Sequence, residues 1–397
     1  MKEVTGTAGE PGFMLFSGTN DRAVIALVRV ISECSVPLGI VARSRTDRIL
    51  RSRYVSNVVH VRDSDRMDPG ALVASVAAAS SAGSGVNSHA IIPISEYFNR
   101  VALRVRNSGM LAPGCTLALV DESTYLALSD KEPCTQLFRS NGFRTPRQYE
   151  DFERAHLPCV AKPRRNLDPM MRSLYPVLIP DAAALDSFLK AFDKSHYFAQ
   201  EYVSGASYYL LSYLSRDGRD YVSSQKNLAQ QAGGKSIVLA ETADFHRSKL
   251  ADATISLLRD VGYTGFAMIE FIDDGGGPCF IELNPRPWGP LQLCADHRCG
   301  IIEAFIGDWT HDDSGYYQAR AKAKPAAARY AWTGGMLTGM RAGAPLSWRM
   351  RPAAGRLRAI RALASDVYLR RDSWRVFFRE LSLAGSPGAV RKVGNDA

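Results

Sequence analysis

Met268–Gly289 reads MIEFIDDGGGPCFIELNPRPWG. Two short apolar runs flank Asp273-Asp274-Gly275-Gly276-Gly277-Pro278, a string of residues that break strands. Isoleucine, phenylalanine and leucine alternate along both runs, as in strands, so the stretch predicts a β-hairpin. With the turn centred on Gly276, Glu270 and Glu282 fall opposite each other. Opposed cross-strand side chains lie about 5 Å apart at Cβ. The two carboxylates then repel, and a divalent cation between them reverses the sign. Asn284 points to the same face as Glu282. Two glutamates and an asparagine make an oxygen-only donor set, which suits a hard ion such as Mg²⁺. Ile269, Phe271, Ile281 and Leu283 are expected to face the core. Without a cation, the same residues describe a surface hairpin with two solvated glutamates.

Glu282-Leu283-Asn284-Pro285-Arg286-Pro287-Trp288-Gly289 resembles the metal-binding signature of the ATP-grasp superfamily. The resemblance implies that Glu270, Glu282 and Asn284 hold two Mg²⁺ ions on the phosphates of ATP, where Mn²⁺ can substitute. It also implies that Arg286 reaches a phosphate or the substrate. Further upstream, Ser129-Asp130-Lys131 precedes a predicted helix, Glu132–Ser140, which ends at Asn141-Gly142. This is similar to the start of the ATP-grasp nucleotide lobe. Leu157–Pro163 reads as a strand that carries Lys162 near its end, where family members touch the α- and β-phosphates. Lys131 and Lys162 are thus implied phosphate ligands, and Lys162 and Arg286 are the residues placed at the chemistry. Gln200-Glu201-Tyr202-Val203 resembles the hinge that reads adenine; the residues alone equally describe a strand with Tyr202 in the core. Ser207 stands where the family often has a ribose-binding glutamate. Arg164–Tyr175 departs from the pattern, with Arg164-Arg165 and no glycine where many members have a glycine-rich loop over the phosphates. Either these arginines meet phosphate or the loop closes differently.

Residues 12–120 alternate strands (Phe13–Phe16, Leu38–Val41, Val58–Val61, Ala90–Ile94) with helices (Ala23–Ile31, Ala71–Ala79). That alternation implies a parallel sheet with helices on both faces. Ser17–Asn20 reads as a turn and N-cap; it lacks GxGxxG spacing, though its helix start could face a substrate anion. Ser80–Ser88 reads as a loop. Tyr208–Leu214 and Tyr221–Lys226 form another predicted hairpin, Phe245–Val261 an amphipathic helix, and the stretch from Gly289 to about Ile306 one helix. The fold class is α/β: a flexible start (1–11), a Rossmann-like domain (12–125) resembling the pre-ATP-grasp domain, and a two-lobe α+β ATP-grasp domain (126–310, lobes 126–203 and 204–310). A basic helical C-terminal segment (311–397) with a disordered tail, Leu383–Ala397, completes it.

The 397 residues permit two or three domains, and 46% hydrophobic with 22% charged residues is a globular composition. No apolar run reaches membrane-spanning length, so no membrane insertion is expected. No signal peptide is apparent, and seven scattered cysteines point to a cytoplasmic setting. Cys294, His297 and Cys299 lack the fourth ligand of a zinc site. The net charge of +9 concentrates in Arg341, Arg349, Arg351, Arg356, Arg358, Arg361, Arg370 and Arg371. With no aromatic platform or nucleic-acid motif, these read as a solvated helical face rather than a nucleic-acid site.

The resemblance is strongest to the carboxylate–amine ligase and carbamoyl-phosphate-synthase-like branches. It implies a cytoplasmic, ADP-forming ligase that activates a small carboxylic acid, such as an amino acid, as an acyl phosphate and joins it to an amine. A homodimer through the N-terminal domain follows from the same likeness. Kinase- or carboxylase-type chemistry, or a non-catalytic ATP-binding scaffold, are the alternatives.

Overall fold

The computed structural model describes residues 11–64, 66–81, 88–310, 326–341, 346–349 and 364–385. The sequence-stretch expectations for 1–10, for the loop interior 82–87 and for the tail beyond 385 lie outside the described residues.

β1 (Pro11–Phe16), β2 (Leu38–Ala42), β3 (Val58–Val61), β4 (Ser88–Ile92) and β5 (Cys115–Leu117) form a parallel sheet in the order β3-β2-β1-β4-β5. The helices α1 (Asp21–Glu33), α2 (Pro69–Ser81) and α3 (Glu96–Asn107) connect its strands. α1 is buried all along Ala23–Ile31. A helix covered on every side lies between two layers, and α1 joins a single core containing Phe13, Leu15, Tyr209, Leu211, Phe266 and Trp288. Its Arg29 lies in that core and is neutralised by Asp372, with Nε to Oδ2 at 2.6 Å and Nη2 to Oδ1 at 2.7 Å. Burial of such a charge requires a partner.

α4 (Glu122–Ser129) and α5 (Lys131–Ser140) follow. A small antiparallel sheet of order β6-β9-β7-β8 comes next, from β6 (Gln148–Tyr149), β7 (Cys159–Pro163), β8 (Val177–Ile179) and β9 (Tyr197–Glu201), with α6 (Ala182–Ala191) packed on it. The large antiparallel sheet contains β10 (Ala206–Leu214), β11 (Asp220–Gln230), β12 (Ile237–Thr242), β13 (Gly265–Asp273) and β14 (Pro278–Asn284), in the order β14-β13-β10-β11-β12. α7 (Lys249–Asp260) and α5 cover one of its faces: Phe138 of α5 stacks on Phe280 of β14, centroids 3.7 Å apart. An aromatic pair of this kind adds about 1 kcal/mol beyond its buried area. α5 therefore packs against the large sheet.

Three expectations change. Phe245–Val261 is not one helix, because a short turn ends at Arg247 and α7 restarts on a Ser248 cap. The stretch after Gly289 divides into α8 (Gln292–His297) and α9 (Ile301–Thr310), since Arg298 and Gly300 take left-handed backbone angles, φ 56° and 81°. The C-terminal segment is not purely helical. β15 (Arg329–Ala331) adds to β12 at the edge of the large sheet, and β16 (Ser347–Trp348) pairs with β11. α10 (Thr333–Arg341) and α11 (Trp374–Gly385) follow β15 and β16 respectively in the chain. Among the described residues no helix is long and apolar enough to cross a membrane.

Candidate functional site

Glu270 and Glu282 are direct antiparallel partners. The pairing is reached through a bulge: Asp273 pairs with Pro278 and Phe271 with Phe280, so Ile281 is an extra residue on β14. A bulged residue and its successor oppose one partner residue and bend the strand. Ile281 consequently leaves the core expected for it and joins Val203, Ile272 and Cys279 in a separate apolar cluster, while Ile269, Phe271 and Leu283 stay in the core with Phe280.

Around the carboxylates stand the two lysines. Lys131 Nζ lies 3.1 Å from Glu282 Oε2 and 3.4 Å from Asn284 Oδ1, and Asn284 Nδ2 donates to Glu282 Oε1 at 2.8 Å. Lys162 Nζ donates to Gln200 Oε1 at 3.4 Å and to the Ile281 carbonyl. Burial, aided by the neighbouring Lys131 charge, pulls Lys162 down to about 8. Burial and then the Glu282 charge push Glu270 up; burial works against Glu282 too, but Lys131 and Lys162 hold it below the usual carboxylate range. The pair thus behaves as two like charges competing for one positive field.

Among the described residues no three His, Cys, Asp or Glu side chains converge as a metal cluster, and the cysteines, Cys294 and Cys299 included, form no disulfide. The donor set at the hairpin is two carboxylates and one amide oxygen, already faced by the Lys131 cation. Oxygen-only donors under mutual repulsion fit a hard divalent cation.

Other expected residues distribute as follows. Arg286 lies beside Asn284, with Nη2 3.5 Å from Oδ1 and a buried Nε that meets no acceptor. Gln200 is buried with its Nε2 unpartnered. Glu201 is exposed and accepts from the Arg147 N–H at 3.1 Å. Tyr202 is 39% exposed, which removes the reading of it as a core residue, and Val203 is the buried member of the apolar cluster. Ser207 is fully buried beneath Glu270: its hydroxyl donates to Glu270 Oε1 at 2.7 Å and accepts from Asn227 Nδ2 at 2.7 Å. Gln225 Nε2 continues the chain to Asn227 Oδ1 at 2.7 Å. Ser207 is therefore placed to orient Glu270 rather than to face a ribose. Asn227 and Gln225 had no sequence signal beyond being polar residues in a strand.

The glycine-free loop folds on itself. Asp168 Oδ2 pairs with Arg172 Nε at 2.6 Å, Arg164 pairs with Glu132 beside Lys131, and Asn166 Nδ2 reaches the Ser129 carbonyl at 2.7 Å; Arg165 is exposed. Asn20 does not cap α1 with its side chain; its Nδ2 reaches the Pro287 carbonyl at 3.1 Å and ties the N-terminal sheet to the signature. The C-terminal arginines are not uniformly solvated: Arg370 pairs with Asp296 at 2.6 Å, and Arg349 is held at the carbonyl of Gly205. Arg351, Arg356, Arg358 and Arg361 lie outside the described residues.

Residues 128–290 match the ATP-grasp domain family. No curated protein matches the chain significantly. The fold is similar to the biotin carboxylase domain of 2-oxoglutarate carboxylase from Hydrogenobacter thermophilus, at TM-score 0.56 and 12% identity over 79% of this chain and 72% of that one. It is similar to an L-amino acid ligase from Bacillus licheniformis, at TM-score 0.55 and 13% identity over 80% and 78%. It is also similar to N5-carboxyaminoimidazole ribonucleotide synthetase from Thermus thermophilus, at TM-score 0.54 and 16% identity over 75% and 77%. The match thus identifies residues 128–290 as an ATP-grasp domain, and that stretch holds both lysines and the opposed glutamate pair.

Proposed function

We propose that this protein is an ATP-dependent, ADP-forming ligase that activates a small carboxylic acid, such as an amino acid, as an acyl phosphate and joins it to an amine. The observation that carries the reading is the Glu270–Glu282 pair with Lys131 and Lys162 around it. A purely structural hairpin gains nothing from directly opposed, largely buried carboxylates. Glu270, Glu282 and Asn284 would hold Mg²⁺, which when bound neutralises charge on the outer phosphates. The magnesium ADP bound by the Hydrogenobacter carboxylase domain supports the same ion here.

A free carboxylate resists amine attack because oxide is a poor leaving group. Transfer of the γ-phosphoryl group to a carboxylate oxygen breaks the bond to ADP and yields an acyl phosphate. The amine then attacks the carbonyl carbon, a C–N bond forms, phosphate departs and a proton leaves the nitrogen. In this scheme Lys131 and Lys162 bind and neutralise phosphate oxygens, Arg286 steadies the transferring group or the acid, and Gln200–Val203 with Ile281 receive the adenine. No covalent nucleophile on the protein is needed. The Asn227–Ser207 relay holds Glu270 in one orientation. Seven scattered cysteines that form no disulfide support a cytoplasmic setting, and the dimer in the Hydrogenobacter structure supports a dimer here.

A carboxylase-type reaction is the second reading, favoured by the likeness to the biotin carboxylase domain. The test is a screen of amino acids and small acids, each with Mg·ATP and with hydroxylamine as a trapping amine. Nucleotide chromatography should show ADP only when a suitable acid is present, together with a hydroxamate. AMP and pyrophosphate would overturn the mechanism; bicarbonate-dependent ADP release without a hydroxamate would favour the carboxylase reading.

A further inference from the structure

Arg349 follows β16, which continues the large sheet beyond the start of β10: Trp348 and Ser347 pair with Ala229 and Gln230, and the Arg349 N–H donates to the Leu228 carbonyl at 3.1 Å. Its guanidinium is fixed at both ends. Nη1 donates to the Gly205 carbonyl at 3.0 Å and Nη2 to Gln230 Oε1 at 3.3 Å, while Nε is buried and meets no acceptor. A donor desolvated without a partner is destabilising. The fixed fork gives Nε no freedom to turn to water, so an acceptor from a ligand would relieve that cost.

The position limits which ligand. Gly205 lies two residues beyond Val203, whose side chain joins Ile272, Cys279 and Ile281 in the apolar cluster. On the other side Gly205 lies two residues before Ser207, whose hydroxyl holds Glu270 Oε1 at 2.7 Å. An adenine nucleotide with its base at the apolar cluster and its outer phosphates at the glutamates runs its phosphate chain between these two places. A guanidinium anchored there matches phosphate oxygens in charge and in geometry.

We propose that Arg349 is a nucleotide-binding residue that meets an anionic phosphate oxygen of Mg·ATP or Mg·ADP and so fastens residues 347–349 over the cleft. The inference rests on the ATP-grasp reading of the hinge and hairpin. It gives the basic C-terminal segment a place in the site.

The experiment displaces a fluorescent ADP analogue from the full chain with MgADP and, separately, with adenosine. Arg349→Ala should weaken MgADP about tenfold or more, the scale of a hydrogen bond to a charged group, and leave adenosine unchanged. Arg349→Gln keeps most of the packing without the charge and decides the matter if the alanine variant does not fold. Unchanged MgADP affinity, or equal losses for MgADP and adenosine, overturns the inference while leaving the ATP-grasp reading intact. Failure of the wild-type chain to bind MgADP overturns both.

Discussion

Lys131 of α5 and Glu282 of β14 form an ion pair of 3.1 Å in which the lysine side chain is 6% exposed and the carboxylate 22%. On the proposed reading the partly open carboxylate exchanges the lysine for a metal ion. Glu282→Gln keeps the volume and removes the charge. It should lower turnover at least ~10³-fold, corresponding to several kcal/mol of lost charge stabilisation, and should lower the melting temperature by only a few degrees. A folded variant with wild-type activity would remove the metal assignment.

Ser207→Ala breaks the relay from Asn227 to Glu270. It leaves a buried amide N–H and a buried carboxylate oxygen short of a partner, at a cost of about 1–3 kcal/mol. The variant should also bind Mg²⁺ more weakly, because a Glu270 without its hydrogen bond is less well oriented and holds its proton more firmly. Urea unfolding and Mg²⁺ titration of the Mg-dependent nucleotide affinity check the two effects; an unaltered unfolding midpoint would show that the relay is energetically idle.

Ile281 joins Val203, Ile272 and Cys279, the cluster proposed to receive adenine, only through the bulge. Ile281→Ala should therefore weaken adenosine and MgADP equally, by about five- to tenfold, as expected when roughly 1 kcal/mol of apolar contact is lost. Stability should change little, since the side chain is only half-buried. A strong loss of stability with unchanged nucleotide affinity would return Ile281 to the core.

Glu380 and Asp21 share Arg48, each 3.0 Å from its Nη1, and Trp332 Nε1 donates to Glu380 at 3.0 Å. Burial lifts Glu380 from 4.5 to about 7. Between those values the folded chain keeps a proton that the unfolded chain has released, so this group's contribution to stability falls as pH rises through the window. The loss is about 3 kcal/mol at most. Glu380→Gln should flatten the dependence of the unfolding free energy on pH between 4.5 and 7; an identical slope in both proteins would show that Glu380 is charged throughout.

The parallel sheet, both hairpins and the residues at the carboxylate site were legible because they depend on local periodicity: period two along β13 and β14, apolar alternation with turns between, and a compact signature. Ile281 was misplaced because strict alternation cannot register an extra residue. Pairing Glu270 with Glu282 and placing the turn between Asp273 and Pro278 both hold only if one residue bulges. The break at Arg298–Gly300 and the restart at Ser248 were missed for a similar reason, as apolar spacing continues across a change of helix axis.

The sequence by itself determined which groups meet at the hairpin, since the spacing of Glu270, Glu282 and Asn284 about one turn sets both carboxylates and the amide on one stretch. Only the tertiary structure decided what stands behind and across from them. Ser207 and Asn227 support Glu270 because β10 lies between β13 and β11 in the large sheet, and Arg349 reaches Gly205 because β16 joins β11 more than a hundred residues after it in the chain. Such contacts depend on which strand edges are left open once the sheet has formed, and strand-edge pairing is made by backbone groups that every residue carries.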